Sequence, residues 1–313
     1  MKGNRGSNFH KKTDTFFRYL TASCGIMILV IMAGIFTGLV VNSRLSIERF
    51  GVGFVLSSAW NPVTQDFGAA SSIYGTLVST GIAMIVAVPL SIAIALFLAE
   101  IASPAVSRII GPAIELLAAV PSIIYGMWGL FVFVPIMANC IQPVLQKYLG
   151  FVPLFHGPPM GIGMLTSGLI LAFMIIPFIS SVTRDVFDMV PAVIKESAYG
   201  MGATTWEVSR HVIIPYGFKG ILGACFLGLA RAMGETMAVT FVIGNDHTIS
   251  PSLFAAANSI ASTLANEFTE ASEPIYLSAL VELGLALLVM TFVVQVFAEL
   301  WLWMVNNRGE KGI

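Results

Sequence analysis

The sequence predicts an all-α, polytopic membrane protein with six transmembrane helices. Three observations carry that expectation. Only 11% of the 313 residues are charged while 57% are hydrophobic, with a mean hydropathy of +0.87. A soluble domain carries roughly 25% charged residues, so this chain has too few to cover a water-exposed surface. Second, apolar runs of about 20 residues, the length that crosses a hydrocarbon core, recur along the chain. Third, lysine and arginine cluster on one side of those runs. The net charge of −1 speaks against a nucleic-acid partner.

Taken in order, residues 1–18 read as a polar tail and 19–41 as the first span. The run is too long for the apolar core of a signal peptide, and no clear small-residue cleavage site follows, so it reads as a retained helix. Residues 42–70 form an external loop. Five more helices fill 71–305, at about 72–99, 112–140, 161–183, 220–244 and 275–305, and a tail occupies 306–313. Pro89 and Pro121 fall inside the second and third spans and read as kinks. Tyr276 at one end of the last span, with Trp301 and Trp303 at the other, suits interfacial belts. Glu115, Glu282 and Glu299 sit near predicted membrane edges and read as structural.

With the N-terminus inside, the inner segments hold 12 lysines and arginines and the outer loops hold three, Arg44, Arg49 and Lys147. That asymmetry places both termini in the cytoplasm. The outer loops are acidic, with Asp66, Asp246, Glu267, Glu270 and Glu273 among their residues. Such a surface does not draw in a free anion by its own field, so an anionic cargo needs a carrier.

Two charges interrupt the fifth span. In "GLARAMGETMAVT", residues 228–240, Arg231 and Glu235 are spaced i, i+4. On a continuous helix they share a face and can pair, either as a structural ion pair or as a pair lining a wet pathway. The pathway reading assigns Arg231 to an oxyanion, because a guanidinium offers two parallel donors. Small residues pervade the same span, including Gly220, Gly223, Gly228 and Gly234, and predict close packing against a neighbouring helix, of this chain or a second one. Cys24, Cys140 and Cys225 have no paired spacing and read as buried apolar residues. The four histidines show no metal spacing. No Gly-x-x-x-x-Gly-Lys-Ser/Thr run exists to hold ATP, and no nucleophile–base constellation marks an enzyme.

Between spans four and five lies a long inner loop bracketed by Pro191 and Pro215. Residues 192–201 and 205–212 read as two short helices, with Gly200 and Gly202 supplying the turn. Here "ESAYGMGATTWEVSRHVIIP" resembles the EAA loop of ABC importer permeases. Glu196, Ala198, Gly202 and Pro215 fall in register, Ser197 replaces an alanine, and Val212 and Ile214 replace Ile and Leu. The stretches 115–135, 149–187 and 227–245 extend the likeness. They are similar to phosphate-specific permeases of the binding-protein-dependent transport system inner membrane component family, and to the PstC branch rather than the PstA branch.

The resemblance implies a type I ABC importer permease fold over 71–305 in a bacterial inner membrane. It implies a second permease (PstA-like), a dimeric ATPase (PstB-like) holding ATP and Mg, and a phosphate-binding protein (PstS-like). It assigns no cofactor to this chain beyond the surrounding lipid. An importer for sulfate or molybdate, and a channel or secondary transporter acting alone, are the rival readings. The EAA-like loop argues against the second, since a self-sufficient channel has no use for it.

Overall fold

The computed structural model describes residues 5–309, with side chains described for 14–304. Lys2, Lys311 and the outermost parts of both tails lie outside the described residues. Helix already occupies most of the expected N-terminal tail, since the first helix runs Arg5–Asn42. Its membrane-length part is Asp14–Asn42. The external loop is folded. Helices Arg44–Phe50 and Gly53–Leu56 lead into an antiparallel hairpin of Trp60–Asn61 and Asp66–Phe67.

The second span is Ala70–Ile101, and its last turn, Phe97–Ile101, is a π-helix. The third departs from the sequence reading. Residues 112–140 do not form one helix. Pro104–Ala118 is a separate amphipathic helix, with Pro112 inside it and an exposed Glu115. The span itself is Ser122–Leu149. Pro121 is therefore no kink: it is the extended residue (φ −57°, ψ 137°) at the helix entrance. Hydropathy alone could not separate the two, because the short helix and the span share apolar composition. The fourth span is Met164–Asp188. The fifth runs Thr205–Met233, far earlier than 220–244, and stops inside the apolar run. The sixth is Pro274–Met304 within helix Pro274–Gly309.

Proline explains three π-turns in the third and fifth spans. Gly129–Phe133, Met137–Ile141 and Ser209–Ile213 each end two residues before a proline, at Pro135, Pro143 and Pro215. A proline ring clashes with the carbonyl four residues back, and the wider turn relieves that clash. Pro215 consequently does not end the second loop helix, which passes through it into the membrane.

Spans two and four make the most extensive helix pair, with span five packed on the same side. Their shared core holds Ala83, Ala87, Leu171, Ile175, Ile179, Ala224 and Cys225. Small residues set the spacing. A Cβ on Gly168 would meet the Ile82 side chain at 2.6 Å. The glycines of span five serve the same purpose within the chain. Gly220 faces Val186 and Gly228 faces Ile179, so both pack on span four rather than on a second chain. Gly223 faces open space and stays available to one. Cys24 and Cys140 are exposed, and only Cys225 is buried. Glu282 is buried within the sixth span instead of reaching out at its edge.

The ends of the spans next to the 42–70 segment are tied by an aromatic cluster. Phe67 stacks on Tyr276, and Trp60 stacks on His247, with centroids 5.1 Å and 5.3 Å apart. Tyr276 is thus buried in protein rather than displayed in a belt. At the cluster's centre Glu267 accepts hydrogen bonds from Trp60 Nε1 (2.5 Å), Tyr276 Oη (2.7 Å) and His247 Nε2 (3.2 Å). Burial pushes this carboxyl up, but the three bonds outweigh it and bring its pKa below the usual carboxylate range.

Candidate functional site

Arg231 lies in the last turn of the fifth helix, which ends at Met233. The contacts of Gly220 with Val186 and Gly228 with Ile179 fix the antiparallel register of spans four and five. They bring Arg231 level with Phe178, near the midpoint of Met164–Asp188. Its guanidinium carbon stands 5.5 Å from the Phe178 ring centroid, a cation–π arrangement. Nη2 donates to the Ala118 carbonyl at 3.4 Å. That carbonyl belongs to the break between helix Pro104–Ala118 and the third span, where Tyr125 Oη also donates, to Leu117 O at 3.0 Å.

Glu235 is not where helical spacing put it. Gly234 closes the helix, and Glu235 and Thr236 carry the chain to a short helix, Met237–Thr240. The carboxylate accepts from the Ala238 N–H at 3.2 Å, capping that helix. Among the described residues no ion pair joins it to Arg231. Residues spaced i, i+4 share a face only on an unbroken helix, and the glycine within "MGET" breaks this one.

Two interruptions of regular backbone therefore meet at membrane depth. Irregular backbone there is tolerated only when buried in protein or lining a cavity. Gly126 of span three lets the broken segment approach: a Cβ there would lie 3.0 Å from both Ala238 Cα and Met237 O. Arg231 and Glu235 remain partly exposed. Among the described residues this cation is held by a carbonyl and a ring and not by a carboxylate, which leaves its charge available to an anion.

The inner loop forms as its spacing predicts. Helix Ala192–Gly200 precedes a turn, and Thr204 starts the next helix through a capping box with Glu207. Gly200 closes the first helix, and Gly202 alone makes the turn, at φ +86°. Glu196, Ser197, Gly202 and Pro215 are exposed, Ala198 is buried, and Val212 and Ile214 are half-buried. Sequence reasoning missed the apolar surface around them. Val193, Met201 and Trp206 are 72%, 84% and 67% exposed. Their signal was apolar residues in the most polar inner loop, a mark of an interaction site.

Gly202 yields a direct prediction. Nothing lies within 4 Å of a Cβ there, so only backbone strain opposes a side chain. Valine at this φ costs about 1–2 kcal/mol. Gly202→Val is expected to insert normally but to weaken co-purification of the ATPase that the EAA-like resemblance implies, whereas Gly202→Asn, which tolerates the conformation, retains it. Equal recovery of the ATPase by both variants would remove the turn from the coupling surface.

A family model described as binding-protein-dependent transport system inner membrane component matches residues 87–302. The chain is 52% identical over 300 residues to the phosphate transport system permease protein PstC of Mesorhizobium japonicum, covering 95% of this chain and 92% of that protein. Identity to the PstC of Haemophilus influenzae is 51%, covering 95% and 96%. To the probable PstC of Methanocaldococcus jannaschii it is 33%, covering 93% and 94%. Among solved structures, a chain of a bacterial ABC transporter involved in the import of the acidic polysaccharide alginate matches with a TM-score of 0.63. That match has 15% identity and covers 94% of this chain and 97% of that one. The MetNI methionine ABC transporter, inward facing, matches at 0.51 with 15% identity over 75% of this chain and 93% of its own. At such identities the two structures speak to the fold alone.

Proposed function

The chain belongs to the family of binding-protein-dependent transport system inner membrane components, and from that premise we propose that it forms one half of a phosphate-conducting pathway. It is a multi-pass membrane permease and not an enzyme. The observation that carries the substrate reading is Arg231, a cation level with the middle of the fourth span, beside two helix breaks and, among the described residues, in no ion pair with a carboxylate. A phosphate crossing the bilayer meets its highest electrostatic barrier there, and a guanidinium lowers it with two parallel donors. Glu235, at the lip of the same break, accepts a hydrogen bond from a P–OH group, which sulfate lacks at neutral pH.

The remaining parts follow from the family and the charge pattern. A PstA-like permease supplies the other half. A PstB-like ATPase dimer, with ATP and Mg, docks on the loop Glu196–Pro215. A PstS-like protein delivers phosphate past the acidic outer surface. Uptake of labelled phosphate into vesicles holding the four components tests this reading. Sulfate and molybdate should fail to compete, and competition by either at equal concentration would reassign the cargo.

The twelve-to-three charge bias supports the reading that both termini are cytoplasmic. In a background lacking Cys24, Cys140 and Cys225, Lys147→Cys should react with an impermeant thiol reagent from outside. Met201→Cys, at an exposed position, should react only from inside. The reverse pattern would invert all six spans.

A further inference from the structure

Lys195 lies outside the EAA-like pattern, yet it is the residue that fastens the first loop helix to the membrane domain. Its Nζ donates to Glu100 Oε1 at 2.5 Å and to the Phe187 carbonyl at 3.2 Å. Glu100 belongs to the π-turn that ends the second span, and Phe187 to the last turn of the fourth. One ammonium thus grips the inner ends of the two spans that form the central helix pair. The pair is well buried, with side-chain exposures of 18% for Lys195 and 8% for Glu100.

The rest of helix Ala192–Gly200 is loosely held. Ser197 Oγ donates only to Val193 O of its own helix, and Ala198 is its one buried side chain. Among the described residues, no other side chain of this helix makes a polar bond to a span. Arg184, the other inner cation nearby, is engaged separately by Ser107 Oγ at 3.3 Å and Asp188 at 3.8 Å. An exposed ion pair does little, but a buried pair that loses one member leaves an unpaired charge, so its geometry is strongly enforced.

We propose that the Lys195–Glu100 pair is the strut through which displacement of the loop helix moves spans two and four. Both are positioning residues: they touch neither phosphate nor the ATPase, and they convert a push on Glu196–Gly202 into rotation of the central pair. The proposal rests on the reading of this loop as the ATPase dock. Apolar contacts alone would let the helix slide against the span ends, whereas a charge gripped from two spans does not.

The experiment uses the full transporter in proteoliposomes, measuring ATP hydrolysis and phosphate uptake in the same preparation. Lys195→Met keeps the stem and removes the charge. It is expected to assemble and hydrolyse ATP while phosphate moved per ATP falls on the order of tenfold. Lys195→Arg, which keeps the cation, is expected to stay near the wild-type ratio, and Glu100→Gln to fall between. An unchanged ratio in Lys195→Met overturns the strut, as does an equal loss in Lys195→Met and Lys195→Arg. If Lys195→Met and Glu100→Gln both fail to assemble while Lys195→Arg succeeds, the pair only folds the loop and the proposal falls. The substrate reading is judged separately, by whether the wild-type complex moves phosphate at all.

Discussion

Arg231→Gln is expected to leave an assembled transporter in the membrane and to cut phosphate uptake roughly 10- to 150-fold, the rate equivalent of a charge-assisted hydrogen bond of about 1.5–3 kcal/mol. Glutamine is neutral and shorter, so it gives up the 3.4 Å bond to the Ala118 carbonyl together with the cation, while the Tyr125 bond to Leu117 O still ties the break. Because Glu235 is not paired with Arg231, the substitution orphans no buried carboxylate. Arg231→Lys is expected to be partly active, since an ammonium keeps the charge and loses the fork. Glu235→Gln can still accept from the Ala238 N–H and should likewise preserve structure while lowering uptake. Uptake normalised to the complex recovered from the same membranes gives the answer. Normal transport by Arg231→Gln removes it from the pathway, and loss of the complex makes it a structural residue.

Gly75→Val is expected to produce the largest loss of folded protein. Gly75 lies in the second span, and a Cβ there would sit 1.9 Å from the Asn258 carbonyl oxygen, which is backbone and cannot rotate aside. Asn258 is fixed in turn, its Nδ2 donating to Ser72 Oγ at 2.9 Å and Thr263 Oγ1 at 3.1 Å. It precedes Ser259, the N-cap of helix Ile260–Glu267. A side chain must therefore displace the whole outer segment, at about 3 kcal/mol or more. The measurement is the amount of monodisperse protein extracted from membranes. Gly168→Ala is the comparison, because its clash falls mainly on the Ile82 side chain. Wild-type recovery of Gly75→Val would show that the 257–260 segment yields.

The six spans were legible because hydropathy over membrane lengths depends on composition, and composition survives small errors of boundary. The inner loop was legible for another reason: Glu196, Gly202 and Pro215 sit at fixed intervals, and a glycine at that turn has one conformational use. What stayed hidden were interruptions. "AAVPSII" divides a short helix from a span, and "MGET" ends a helix inside an apolar run, but neither changes mean hydropathy enough to register. The Arg231–Glu235 pairing inherited that blindness. The outer cluster around Glu267 was unreadable for a different reason, since Trp60, His247 and Tyr276 converge from three separate segments and share no local pattern.

The π-turn at Ser209–Ile213 has one further consequence. It inserts an extra residue into an otherwise continuous helix, and one residue is about 100° of rotation. Side chains before it, such as Trp206, and side chains after it, such as Arg231, therefore obey two different phases. A helical wheel drawn from the cytoplasmic end assigns the membrane faces of this helix wrongly by more than a quarter of a circle. Torque applied at one end reaches the other through a joint that already carries an angular offset.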